Sequence, residues 1–282
     1  MSEAYPPERH LLRDLDVEVE VVAEGRRSAV FRPGGGTHVE LGAVLTILDL
    51  VAGSLCLEVV SPDWIATSGI TFHLTRPLLA GELQLEGHLL RAGRTTTTVE
   101  LRAVDRVSTQ LLGEGVATFA RTRRSATAPD QPPPTEPGSR FSFTDPNGAA
   151  LGADGTLRDA IGCRIVDPPA GVTVTPVSGY VRNSFGAVNG GVVATVVEAA
   201  ALAVAGAADG DPPDRVRAEV TDVALHYLAQ GRTGPVRTRA SMLRSSWGRR
   251  PGQLVVRVEV FDGEHDESRR MAVAHVFTSR WA

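Results

Sequence analysis

Two stretches of this chain repeat one pattern: a helix-length apolar run with a carboxylate about two turns after its start. One runs from Glu40 through Asp49 to Val60, the other from Asn189 through Glu198 to Ala208. Asp49 and Glu198 stand 149 positions apart, as do Phe31 and Tyr180 upstream. Downstream the offset becomes 153, which matches His73 to His226 and Gly81 to Gly234. A run that is apolar all round reads as a helix enclosed by protein, so each copy needs its own covering layer. Two copies of one unit within 282 residues describe a duplicated domain. A solenoid would need at least three short repeats.

The boundary between the copies is legible. Arg123 to Arg140 reads RRSATAPDQPPPTEPGSR, a Pro-rich polar tether that cannot pack a core. Residues 10–122 form one unit, 123–140 the linker and 141–282 the second unit, each unit within the usual domain range. Both units give the same order of elements. A short lead (Glu8–Asp14; Leu157–Gly162) precedes two strands (Val17–Ala23 and Arg27–Phe31; Arg164–Asp167 and Gly171–Val177). The long helix follows, Gly42–Val60 or Gly190–Ala208. Four alternating strands close each unit: Ala66–Leu74, Gly81–Arg91, Thr95–Val104 and Gly113–Arg121 in the first, and Arg217–Tyr227, Gly234–Arg244, Leu254–Asp262 and Arg269–Thr278 in the second. One all-apolar helix followed by an antiparallel meander predicts a sheet wrapped around a buried helix.

Composition narrows the function classes. Apolar residues make up 42% of the chain, enough for a core in each half. A net charge of -4 argues against nucleic acid as a partner, which calls for a basic face. Every basic residue except histidine is Arg, so a phosphate-binding loop built on Lys is excluded. Cys56 and Cys163 lie in apolar sequence and are expected as buried free thiols. Met1 to Arg13 is polar, unlike a signal peptide, and no uninterrupted apolar run reaches the ~18 residues of a membrane span. The expected setting is cytoplasmic, with no membrane partner. No Cys/His cluster has zinc spacing, and no metal site is expected.

The turn before the second helix reads Asn183-Ser184-Phe185-Gly186-Ala187-Val188-Asn189-Gly190-Gly191, with Glu198 further on. This resembles the hotdog-fold acyl-CoA thioesterases of the phenylacetate type, whose pattern is Asn-x-x-Gly-x-x-His-Gly-Gly-x6-Asp/Glu. Asn183, Gly186, Gly190, Gly191 and Glu198 fall in place, and Asn189 stands where the family has His. The resemblance covers nearly the whole chain outside the linker. It implies an α+β fold of two tandem hotdog domains, each an antiparallel sheet around a long central helix, packed as a pseudo-dimer. It also implies hydrolysis of an acyl-CoA thioester without a cofactor beyond the CoA of the substrate. Pairing of two such chains into a homodimer is a further expectation.

In such enzymes a Gly N–H at the helix start holds the carbonyl oxygen, and a helix carboxylate activates water or attacks the carbonyl. Backbone N–H groups at a helix start suit an oxyanion. The carboxylate follows its Gly by eight residues, about 12 Å along one helix. One helix therefore cannot supply both groups, and the site must pair the start of one helix with the acid of a second, antiparallel helix. The second start with the first acid gives Asn183, Asn189, Gly190 and Gly191 facing Asp49, with Thr67 on the strand after the first helix. The resemblance assigns Asp49 the base or nucleophile, Gly190 the oxyanion, Asn183 and Asn189 substrate or water positioning, and Thr67 orientation of the acid. Gly191 joins the substrate-binding set.

The reverse pairing gives Gly34, Glu40, Leu41 and Gly42 facing Glu198, with Val220 at the Thr67 position. Glu40 would repel an oxyanion there, which predicts one competent site and one decayed site marked by Glu198 and Gly42. Arg94, and Arg249 with Arg250, sit in turns where forked donors suit the phosphates of CoA. His73 and His226 read as structural or surface residues. Hotdog hydratases carry Asp-x4-His, whereas Ser54 and Ala203 stand at those places here. The Asn189 substitution leaves a rival from another class, a catalytically weak double-hotdog protein that binds acyl-CoA or a related ligand.

Overall fold

The structure, a computed structural model, describes residues 5–33, 39–79, 81–124, 136–143, 151, 155–211, 216–243, 253–263 and 269–280. In the first half a short helix α1 (Leu11–Asp14) leads into β1 (Glu18–Ala23) and β2 (Arg26–Phe31). The long helix α2 (Leu41–Val60) follows, then β3 (Trp64–Leu74), β4 (Leu83–Ala92), β5 (Thr96–Asp105) and β6 (Leu111–Thr122). The second half repeats this order after a three-residue strand β7 (Arg140–Ser142). It comprises α3 (Leu157–Ala160), β8 (Arg164–Asp167), β9 (Val172–Thr175), α4 (Gly190–Asp209), β10 (Ala218–Tyr227), β11 (Val236–Met242), β12 (Gln253–Asp262) and β13 (Arg270–Arg280). A turn of 3-10 helix at Gly179–Val181 precedes α4.

All the strands join one antiparallel sheet, in the order β7-β1-β2-β4-β5-β6-β3-β10-β13-β12-β11-β9-β8. The two halves run outward from the centre in mirrored order, and β3 pairs with β10 at the junction. In that pairing Thr71 lies opposite Ala224, its own counterpart 153 positions on. The pseudo-two-fold axis of the molecule therefore passes through this one pair. Joining β3 to β10 removes two sheet edges that would otherwise expose unpaired backbone groups.

α2 and α4 are apolar on every face because each is enclosed. Both satisfy the length and composition of a membrane-spanning helix, but they lie largely buried against the sheet and each other. Their contact rests on a repeated pair of residues. An added Cβ on Gly42 would lie 2.6 Å from the Thr195 Cα, and one on Gly191 would lie 2.0 Å from the Thr46 Oγ1. Glycine at both positions lets the backbones touch. The contacts of 42 with 195 and of 191 with 46 run the helices antiparallel, as the two-helix site requires. Cys56 and Cys163 are buried free thiols.

The strand β7 departs from the sequence reading, which began the second unit at residue 141. Phe141 pairs with Val19, so residues 140–142 extend the sheet edge of the first half before the chain crosses. A three-residue strand at the end of a Pro-rich stretch leaves no periodic signal.

Candidate active site

The start of α4 is organised by its own cap. The Asn189 Oδ1 accepts from the Gly191 N–H at 2.8 Å, and the Asn189 carbonyl accepts from Val192 at 3.1 Å. Asn favours this N-cap position for that reason. Among the described residues, the Gly190 N–H finds no protein acceptor. One helix-start donor is thereby left open, and Gly190 lines a cavity of about 920 Å³. Asn183 shapes the turn ahead of this start. Its Oδ1 accepts from Phe185 N at 3.0 Å and Ala187 N at 3.1 Å, while Gly186 supplies a φ of +70° that side chains disfavour.

Asp49 reaches the same place from α2. An added Cβ on Gly190 would lie 2.9 Å from the Asp49 Oδ2 and 3.4 Å from the Tyr227 hydroxyl. The other Asp49 oxygen, Oδ1, accepts from the Thr67 hydroxyl at 2.9 Å. Thr67 comes from β3, and a bulge in the β3–β6 ladder falls between Thr67 and Gly69. Asp49 keeps only a partly exposed face, turned to the cavity. Burial pushes its carboxyl up to about 6, against the smaller opposing pull of the Thr67 hydrogen bond. Asp49, Thr67, Asn183, Asn189 and Gly190 thus line one cavity.

The reverse pairing is closed. The Glu198 Oε1 accepts from Leu41 N at 3.0 Å and its Oε2 from Gly42 N at 2.7 Å. The carboxylate itself occupies the donors at the start of α2. Glu198 is one methylene longer than Asp49 and spans the gap that Asp49 leaves open. Its carboxyl is raised to about 7 by burial and by the charge of Glu40, against the pull of the two N–H groups. Glu40 does not point at an oxyanion position as the sequence implied. Its Oε2 accepts from Leu157 N at 2.6 Å and Arg158 N at 3.3 Å, at the start of α3. Gly34 lies outside the described residues.

Other expected site residues are placed elsewhere. Gly191 does not face a ligand, since its N–H is held by Asn189 and its Cα is pressed against Thr46. Arg94 is exposed in the β4–β5 turn and is not among the residues lining the cavity. Arg249 and Arg250 lie outside the described residues. His73 is exposed and meets Asp222 across the β3–β10 junction, Nδ1 to Oδ1 at 2.7 Å.

Three groups on the cavity wall escaped the sequence reading. The Tyr227 hydroxyl donates to the Gly190 carbonyl at 2.9 Å and holds that peptide in place. Nothing in the sequence marked it, because it ends a strand whose register was unknown. Trp64 and Phe185 pack edge to face with ring centroids 4.7 Å apart. Arg27 pairs with Glu58 and is buried at 2% exposure. That pair had a readable signal, a charge at an inward position of β2 beside Ala29 and Phe31.

No family model matches the chain, and no curated protein matches it. Solved structures do. The tesB protein of Mycobacterium avium subspecies paratuberculosis superposes with a TM-score of 0.62 at 16% identity, over 95% of this chain and 97% of that one. The 12:0-ACP thioesterase from Umbellularia californica gives 0.55 at 10% identity, over 91% and 94%. An acyl-ACP thioesterase from Bacteroides thetaiotaomicron gives 0.53 at 11% identity, over 90% and 98%. The chain has the double-hotdog fold of these thioesterase structures, two hotdog units in tandem around a shared sheet.

Proposed function

We propose that the protein hydrolyses an acyl thioester, with acyl-CoA as the substrate class, at one composite site between its two halves. The observation that carries this reading is the open Gly190 N–H beside the Asp49 carboxylate in a cavity large enough for an acyl chain. The thioester carbonyl oxygen accepts from the Gly190 N–H. Asp49 takes a proton from water, and the hydroxide forms a bond to the carbonyl carbon. The negative charge that develops on the oxygen is held by the Gly190 N–H and the positive end of the α4 dipole. Collapse of this intermediate breaks the C–S bond. The thiolate leaves and takes up the proton from Asp49, so one thioester and one water give one acid and one thiol.

Base, donor and water complete this chemistry, and the reading calls on no metal or redox cofactor. A carboxyl near 6 is ionised at neutral pH yet more basic than an ordinary Asp. Thr67 keeps one oxygen of Asp49 occupied and so turns the other toward Gly190. Tyr227 and Asn189 hold the Gly190–Gly191 peptide, the one that follows the donor. A cytosolic setting, where CoA thioesters are made and used, goes with this reading.

The test is thiol release from a panel of acyl-CoAs, from acetyl to palmitoyl and aromatic, with acyl-ACPs alongside because two of the similar structures are named for them. Hydrolysis of at least one acyl-CoA is the expected result. Binding of acyl-CoA without thiol release from any substrate would favour the ligand-binding reading instead. A second test addresses the count of sites. Glu198→Gln should leave kcat/KM within about threefold of wild type, because general-base losses of ~10²–10⁴ arise only where the group acts on substrate. A loss of that larger size in folded protein would mean that both sites work.

A further inference from the structure

We propose, building on the thioester reading of this cavity, that the acyl chain carries a hydroxyl near the end that reaches Glu58. Along α2 the cavity is lined by Thr46, Asp49, Gly53, Leu57 and Glu58, and it winds partway round the helix between Asp49 and Glu58. With about 3.6 residues per turn Asp49 and Glu58 lie on opposite sides of the helix, and Gly53 and Leu57 fall between them around it. At Gly53 an added Cβ would meet Ile65 and Phe119, both on the cavity wall, at ordinary contact distances of 3.7 and 3.8 Å. Nine residues separate Asp49 from Glu58, roughly 13 Å of axial rise, so a chain that also winds round the helix needs at least about ten extended carbons.

An ion pair stands at that end of the groove. Arg27 reaches in from β2, 2% exposed, and Glu58 is 31% exposed. Both line the cavity. Among the described residues Glu58 accepts only from Arg27, through Oε2, which leaves Oε1 available to a donor. An apolar pair would close an alkyl groove at lower desolvation cost. A plain methyl terminus would strip water from Glu58 and return no hydrogen bond, a mismatch that sites built for a hydroxyl reject. A terminal carboxylate would meet the charge of Glu58, and a terminal ammonium would give up far more hydration than a hydroxyl to reach a pair whose net charge is zero. A neutral hydroxyl donates to the free carboxylate oxygen and meets neither penalty.

The experiment compares kcat/KM of the wild-type protein for decanoyl-CoA, ω-hydroxydecanoyl-CoA and the ω-carboxy analogue, with shorter and longer ω-hydroxy chains to locate the optimum. The ω-hydroxy substrate should lead by roughly ten- to a hundredfold, the size of a hydrogen bond to a charged group. The double variant Arg27→Met, Glu58→Leu should abolish that lead while retaining hydrolysis of decanoyl-CoA. Equal rates for the plain and hydroxylated chains, or a lead for the carboxylate, would overturn the inference and leave the thioesterase reading standing. A lead that survives in the double variant would also overturn it. Hydrolysis of no substrate in the series or the wider acyl-CoA panel would overturn both.

Discussion

Asp49→Asn should remove most hydrolysis, roughly a 10²–10⁴-fold fall in kcat, while making the protein more stable at pH 7. The two effects have one origin. Asn cannot take a proton from water, but it is isosteric and its Oδ1 still accepts from Thr67. The Asp49 carboxyl is raised from 3.8 to about 6 because burial penalises its charged form. The folded state therefore holds that proton more tightly than the unfolded chain. Native stability falls as pH rises from about 4 to about 6, and the full penalty applies above that window. Its size is on the order of 2–3 kcal/mol. Asn carries no charge at any pH and escapes the penalty. Thermal unfolding should show a gain for Asp49→Asn at pH 7–8 and none near pH 4. The wild-type kcat/KM should rise with pH through about 6 and then level. An active Asp49→Asn protein would end the assignment of Asp49 as base.

Gly191→Ala should give a large loss of stability. Its methyl would sit 2.0 Å from the Thr46 Oγ1 and 2.5 Å from the Thr46 Cβ. Thr46 cannot yield, since it is buried and its hydroxyl donates to the Gly42 carbonyl at 2.7 Å. The helices would have to separate along a contact on which both halves depend. Overpacking typically costs about 1–3 kcal/mol, and this position belongs at or beyond the upper end. For a chain of this size that corresponds to a fall of roughly 6–12 °C in Tm. The measurement also separates two roles for the residue. Unchanged Tm with reduced hydrolysis would make Gly191 a substrate contact and defeat the packing role.

The architecture was legible because its signals are periodic and duplicated. Buried helices and alternating strands are written in the spacing of apolar residues, and the two offsets aligned one half with the other. The offset of 153 even contained the symmetry axis, since Thr71 and Ala224 differ by that number and meet at the junction. Helix length excluded a site built on one helix, and the roles implied by the resemblance then paired Asp49 with the start of α4. What escaped depends on reach rather than pattern. That Glu198 fills the donors of α2 turns on one methylene. That Glu40 swings to α3 depends on where Leu157 comes to rest, 117 positions on. Glycine's two uses, an open donor at Gly190 and a close contact at Gly191, look alike in sequence and separate only in space. Arg in a turn carries no sign of its partner, and Arg94 is at an exposed hairpin, away from the residues that line the cavity.

Asp49 and Gly190 come from opposite halves of one polypeptide, and this fixes how the site responds to dilution. In a symmetric dimer of single units the corresponding groups would part as protein concentration fell below the dissociation constant. Here a covalent connection holds each half at an effective concentration of the order of millimolar toward the other. Specific activity should therefore stay constant per chain down to nanomolar enzyme, and active-site titration should count one site per chain. Covalent fusion also frees the two sites from identical sequence. One can spend its helix-start donors on a carboxylate of the fold, as Glu198 does, while the other keeps a donor open to the cavity.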